Sequence, residues 1–70
     1  MKDPLAILGK DIKKIRNKQN LSQETLSQIL KVDKSYISRI EGGKINVTFT
    51  TLVKISEALT VNIKNLLKGQ

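Results

Sequence analysis

Apolar residues recur along the chain at intervals of three and four, the spacing at which side chains share one face of an α-helix. The first such row consists of Leu5, Leu8, Ile12 and Ile15. It follows Asp3-Pro4, a pair that favours a helix start because Asp caps free N–H groups and Pro fits the first turn. Gly9 lies inside the row and weakens this helix by about 1 kcal/mol relative to Ala. Five segments of this kind predict an all-α chain of five short helices without a strand.

Polar residues that can cap helices separate the segments. Ser22 suits the start of a second helix, and Asp33 suits the start of a third that covers Lys34 to Glu41. Gly42-Gly43 ends the third helix, and the short turn between the two helices begins at Lys31. In the second helix, three side chains are predicted to face inward: Leu26, Ile29 and Leu30.

Two further helices complete the pattern. Thr48 is predicted to cap the fourth and Asn62 to cap a short fifth. The apolar residues of the fourth helix are predicted to face mostly inward, namely Phe49, Leu52, Val53, Ile55 and Leu59. The fifth contains Ile63, Leu66 and Leu67. With no linker, repeat or low-complexity segment, one domain is expected over residues 1–70.

The third helix has a polar side and an apolar side. At about 100° per residue, its polar residues fall within one arc: Lys34, Ser35, Ser38 and Arg39. The opposite arc carries Tyr36, Ile37 and Ile40. The apolar side must pack on the other helices, so the polar side faces outward as a short, basic surface. Such a surface is either ordinary solvated protein or the part of the helix that recognises a polar ligand.

The charge balance of the chain limits the binding partners that can be expected. Thirteen Lys and Arg stand against six Asp and Glu, a formal net charge of +7, which points to nucleic acid first and an anionic membrane second. The row formed by Lys10, Lys14 and Lys18 is either solvated surface or an edge that faces phosphates.

The lack of Cys and His excludes disulfides and nearly every zinc site. The acids show no paired arrangement for acid–base work, so no enzyme, metal, cofactor or small-molecule ligand is expected. No apolar run is long enough for a signal peptide core or a membrane span, so a cytoplasmic protein is expected.

The segment LSQETLSQILKVDKSYISRIEGGK, from Leu21 to Lys44, is followed closely by NVTFTTLVKISEALTV. Together they resemble the Cro and phage-repressor-like helix-turn-helix family over Leu8 to Leu67, with the helix-turn-helix at about residues 22–41. The resemblance implies a lambda-repressor-like DNA-binding domain, a compact five-helix bundle. Short basic chains of this family are most similar to restriction–modification controller proteins and to small phage or mobile-element repressors. Both are homodimeric transcriptional regulators that bind a palindromic operator in double-stranded DNA.

The resemblance also implies roles for individual residues. Base contacts in the major groove are implied for Lys34, Ser35, Ser38 and Arg39, with Arg39 reading a guanine through O6 and N7. Contacts to the DNA backbone are implied for Gln23, Tyr36, Lys44 and Asn46. A buried structural ion pair is implied between Arg16 and Glu41. Asp33 would cap the third helix and would also lie near a base.

One position departs from the family. Family members usually have Gly at the start of the turn between the two helices, where this chain has Lys31. The turn therefore either differs in shape or holds a non-Gly residue in the left-handed conformation, at a cost of roughly 1 kcal/mol.

Dimerisation is expected on two grounds. One helix reads too few bases for useful specificity, so two half-sites are needed. Apolar residues near the C-terminal end also exceed what a small core can easily cover. The interface candidates are Val61, Ile63 and Leu67, with Phe49 next. Leu66 is a further candidate, although a place in the core is at least as well supported, and the alternative for all of them is the core.

Two other functions are compatible with this composition. Many antitoxins share the fold and would block a toxin as well as bind their own operator. They commonly carry an extra segment for the toxin, and here only Met1 to Pro4 and Lys68 to Gln70 are left over for one. A cationic membrane-active peptide would bind vesicles, but the apolar residues here are distributed to build a multi-helix core. A sequence-specific DNA-binding regulator is the function that the residues favour.

Overall fold

Five α-helices and no strand make up the part of the chain that the computed structural model describes, residues 3–67. The helices are α1 (Pro4–Lys18), α2 (Gln23–Leu30), α3 (Lys34–Glu41), α4 (Phe49–Ala58) and α5 (Lys64–Leu67). The all-α prediction is confirmed. Both ends of the predicted domain, residues 1–2 and 68–70, lie outside the described residues. Within residues 3–67, no helix combines the length and the hydropathy that a membrane span requires.

Four of the helices begin at a side chain that accepts a backbone hydrogen bond, as the sequence predicts. These pairs are Asp3 with the N–H of Leu5 (3.0 Å), Ser22 with that of Thr25 (2.9 Å), Thr48 with that of Thr51 (3.1 Å) and Asn62 with that of Lys64 (3.0 Å). Asp33 occupies the same position before α3, but its side chain makes no capping hydrogen bond. The predicted capping bond of Asp33 was therefore wrong. Its exposed carboxylate keeps its hydration and still lies at the positive end of the helix, so α3 begins without that bond.

The four longer helices end in the same way. One residue adopts the left-handed conformation, and the N–H after it bonds to a carbonyl five residues back. These residues are Asn20 (φ 59°), Lys31 (φ 59°), Gly43 (φ 70°) and Thr60 (φ 56°). The closure satisfies carbonyls that a helix end leaves free. Of the two alternatives for the turn after α2, the strained one is found, because Lys31 sits in the left-handed region with ψ 45°.

The core is built from all five helices. Its buried side chains are Leu8, Ile12, Leu26, Ile37, Ile40, Leu52, Ile55, Leu59 and Leu66. Leu66 is fully buried, so it belongs to the core and not to a free surface.

Two side chains predicted to face inward are exposed. Ile29 is 50% exposed, because α2 buries Leu26 and Ser27 and Ile29 lies about a third of a turn from their midpoint. Phe49 is 65% exposed, since it opens α4 one turn before Leu52, the first residue of that helix to enter the core.

Helix α1 crosses the end of α3 at very close range at Gly9. A Cβ added to Gly9 would lie 2.5 Å from the carbonyl oxygens of both Ile40 and Glu41. A Cβ added to Gly43 would lie 2.9 Å from the Cα of Ala6. Both glycines therefore allow the two backbones to approach, and Gly9 fixes the crossing that holds α3 against the rest of the domain.

Candidate nucleic-acid interface

The outer side of α3 carries the polar residues that the helical spacing assigns to it. Lys34, Ser35, Ser38 and Arg39 are all exposed. On the opposite side Ile37 and Ile40 are buried, and Tyr36 is half-buried. Because the buried side anchors the helix firmly, the exposed side is presented as a rigid surface with two cationic and two hydroxyl groups.

One edge of this surface borders α4. A cleft there is lined by Leu30, Val32, Asp33, Tyr36, Arg39, Thr51 and Lys54. Thr51 and Lys54 were not predicted as site residues, although they stand beside Arg39 and Tyr36. Lys54 is the only cation of α4. That single exposed positive charge is the one sequence feature that could have marked it as a site residue. Its closeness to α3 depends on tertiary packing and could not be deduced from the sequence.

The other edge borders the start of α2 and is held by a buried ion pair. Arg16 donates from Nε to Glu41 Oε2 at 2.7 Å and from Nη2 to Glu41 Oε1 at 3.0 Å. The two side chains are 7% and 3% exposed. Arg16 Nη1 also donates to the carbonyl of Leu21 at 2.6 Å. One guanidinium thus joins α1, the loop before α2 and the last residue of α3.

Gln23 adds a fourth hydrogen bond to this junction. Its Nε2 donates to Glu41 Oε1 at 3.0 Å, and the side chain is only partly exposed. Gln23 is the first residue of α2, where the leading N–H groups of a helix have no intrahelical acceptor. The predicted backbone-contacting residue therefore lies at a helix N-terminus, with its amide already held by an α3 residue.

The other predicted contact residues lie in the loop after α3. Lys44 and Asn46 are exposed there, between Gly43 and the N-cap Thr48. The backbone N–H of Lys44 closes the end of α3 by bonding to the carbonyl of Arg39. The loop is therefore tied to the same helix end as Glu41, and its two exposed polar side chains, Lys44 and Asn46, alternate with Ile45 and Val47, which pack against the core.

The predicted interface residues differ in exposure. Val61 and Ile63 are partly buried and pack against the core. Leu67 is 38% exposed and Phe49 is 65% exposed. An interface built from these residues would therefore depend mainly on Leu67 and Phe49 for newly covered apolar area.

Comparison with known proteins decides the family. A helix-turn-helix family model matches residues 12–66. The chain belongs to this helix-turn-helix family. The control protein C.SmaI of Serratia marcescens is 38% identical over 64 residues, which cover 91% of this chain and 76% of that protein. The resemblance to the helix-turn-helix family and its controller proteins, predicted from the sequence, is thus confirmed. Relatives of this kind do not favour the antitoxin alternative.

Solved structures agree with the family assignment. The restriction–modification controller protein C.AhdI from Aeromonas hydrophila superposes with a TM-score of 0.85 at 32% identity, covering 89% of this chain and 94% of that one. The controller protein C.Esp1396I, solved as a tetramer with its natural 35 base-pair operator, superposes with a TM-score of 0.79 at 32% identity. That match covers 96% of this chain and 99% of the other. The predicted lambda-repressor-like bundle is confirmed by these folds.

Proposed function

We propose that this chain is a DNA-binding transcriptional regulator of the restriction–modification controller type. It binds a near-palindromic operator in double-stranded DNA as a homodimer and acts in the cytoplasm, without catalytic activity. The observation that supports this most strongly is the exposed basic face of α3, on a chain similar to a controller solved with its operator.

The exposed face of α3 enters the major groove. Arg39 donates two parallel hydrogen bonds to guanine O6 and N7, a contact worth about 1–3 kcal/mol of discrimination against other bases. Lys34 contacts a base or a phosphate. The two serines contact base edges that donate or accept a hydrogen bond, since a hydroxyl both donates and accepts. Ser35 and Ser38 therefore add less specificity than Arg39.

The two edges of that face hold the DNA backbone. Gln23 contacts phosphate on the α2 side. Tyr36 contacts it through its hydroxyl on the α4 side, and Lys44 and Asn46 contact it from the loop after α3. Such contacts fix the register of α3 on the duplex without selecting sequence themselves. Lys54, which lies beside Arg39 in the cleft between α3 and α4, adds positive charge to the edge that borders α4.

Two copies of the chain act together, because one recognition helix reads too few base pairs to select a site in a genome. In a two-fold dimer the two α3 helices enter successive major grooves about 34 Å apart, one turn of DNA. The dimer contact is formed by Phe49, Val61, Ile63 and Leu67, four apolar residues that are at least partly exposed.

Selection from a pool of random duplexes, followed by footprinting of the enriched sequence, tests this function. The expected result is one enriched sequence with two-fold symmetry, whose half-site centres lie about 10 base pairs apart. Enrichment of no sequence above the starting pool would overturn the proposed function. Enrichment of a single asymmetric half-site would overturn the homodimer part of it.

A further inference from the structure

The amide group of Gln23 has a defined orientation in the protein without DNA. Its Nε2 lies 3.0 Å from Glu41 Oε1. The two ends of an amide are ordinarily hard to tell apart, and the hydrogen-bond partner decides between them. An ionised carboxylate only accepts hydrogen bonds. The nitrogen and not the oxygen of Gln23 must therefore face Glu41.

Glu41 is itself unable to turn away. Its carboxylate accepts two hydrogen bonds from Arg16, at 2.7 and 3.0 Å, in a site where its side chain is 3% exposed. Rotating the carboxylate would leave a buried guanidinium unpaired, which is strongly unfavourable. Gln23 is thus held by a carboxylate whose orientation is fixed by Arg16.

We propose that Glu41 is a positioning residue for DNA binding. By accepting one hydrogen of the Gln23 amide, it leaves the second N–H for a phosphate oxygen of the operator backbone. In the flipped amide, the carbonyl oxygen would meet the phosphate instead, and two acceptors repel. Holding the side chain in place before binding also reduces the rotamer entropy that the contact would otherwise lose. This inference rests on the proposed function, through the contact of Gln23 with phosphate.

A double-mutant cycle separates positioning from a purely structural role. Operator affinity is measured for the wild type, Gln23→Ala, Glu41→Gln and the double variant, at a temperature where circular dichroism shows all four folded. Gln23→Ala is expected to weaken binding by roughly tenfold or more, as for a lost hydrogen bond to a charged group. Glu41→Gln should weaken binding by a similar factor in the wild type. In the Gln23→Ala background it should weaken binding less than about twofold, because there is no amide left to position.

The other outcomes of this cycle distinguish a failure of the inference from a failure of the proposed function. If Glu41→Gln weakens binding by the same factor in both backgrounds, Glu41 has only a structural role and the inference fails. If Gln23→Ala leaves affinity unchanged while Arg39→Ala reduces it, the inference fails and the proposed function stands. If the wild-type protein selects no operator, both fail together.

A measurement on the wild-type protein covers the case in which Glu41→Gln does not fold. In nuclear magnetic resonance spectra without DNA, the side-chain NH₂ protons of Gln23 should exchange with water roughly tenfold more slowly than those of Gln28. Gln28 is the matched control, because it lies on the same helix with an exposed side chain. Equal exchange rates for the two side chains would overturn the inference.

Discussion

At Gly9 two opposing effects of an added methyl group can be ranked. Replacing a helical Gly by Ala favours the helix by about 1 kcal/mol. The new Cβ would, however, lie 2.5 Å from two backbone carbonyl oxygens of α3, and backbone atoms cannot rotate away as a side chain can. Overpacking of this kind costs typically 1–3 kcal/mol, so the steric effect is larger.

Gly9→Ala is therefore expected to lower the free energy of unfolding by up to about 2 kcal/mol, the overpacking cost less the gain in helix propensity. Denaturant unfolding followed by circular dichroism measures this. Gly42→Ala is the matched control, because the Cβ there would approach no closer than 3.3 Å and should cause a clearly smaller loss. A gain in stability for Gly9→Ala would show that α1 does not cross α3 at this position.

The positive φ at Thr60 predicts the opposite sign. A β-branched residue in the left-handed region loses about 1–2 kcal/mol, whereas Gly loses about 0.5–1 kcal/mol through its more flexible unfolded chain. Thr60→Gly should therefore stabilise the protein by about 0.5–1 kcal/mol. Thr50→Gly, at an exposed Thr in the first turn of α4, should instead destabilise it by about 0.3 kcal/mol. Denaturant midpoints that move in the same direction for both would contradict the assigned end of α4.

At the scale of residues, the features that depend on near neighbours in the sequence are predictable, and those that depend on the packing of distant segments are not. The capping roles of Ser22 and Thr48 depend on near neighbours, so the sequence predicts them. The close approach at Gly9 and the closeness of Lys54 to Arg39 depend on how helices pack. Gly9 was accordingly interpreted as a helix-weakening residue and not as a contact, and Lys54 was missed.

At the scale of helices, the pair formed by Arg16 and Glu41 joins α1 to the end of α3. Removing one partner leaves the other as a buried, unpaired charge, at a cost of about 3–5 kcal/mol. Replacing both by apolar residues of similar size removes that penalty. Arg16→Met is therefore expected to destabilise the protein by about 3 kcal/mol or to unfold it.

The double variant Arg16→Met with Glu41→Leu serves as the comparison. It should recover most of the loss, remaining within about 1–2 kcal/mol of the wild type, because no buried charge is left unpaired. Thermal unfolding of the three proteins gives both values. A double variant as unstable as Arg16→Met alone would mean that the pair contributes chiefly through the hydrogen bond to Leu21 and not through charge pairing.

Helix positions were predictable because periodicity and capping residues agree along the whole chain. The orientation of individual side chains was less so. The sequence supports a place in the core for Leu66 at least as well as a place in the interface, and Leu66 belongs to the core. Ile29 is predicted to face inward and is exposed. The helical pattern gives the apolar arc of α2, but the small Ser27, buried in place of Ile29, carries no hydrophobic signal.

For the whole molecule, the proposed dimer predicts a specific sensitivity to charge. Leu67→Lys should shift sedimentation at micromolar concentration from dimer towards monomer, because it places a charge in an apolar interface. Ile29→Lys is the matched control, since Ile29 is similarly apolar and 50% exposed but lies on α2. A wild-type protein that sediments only as a monomer, with and without operator, would contradict the dimer.

The central claim is that the exposed face of α3 selects DNA sequence, and Arg39 tests it most directly. Binding of the wild type, Arg39→Ala and Lys44→Ala is compared on the selected operator and on duplexes changed at one symmetric base pair at a time. Arg39→Ala should lose about 1–3 kcal/mol on the operator and should lose discrimination at one guanine position only. Lys44→Ala should weaken binding to all the duplexes alike, as expected for a phosphate contact. If Arg39→Ala binds the operator as tightly as the wild type and keeps the same base preferences, α3 does not select sequence through Arg39, and this account of the interface is wrong.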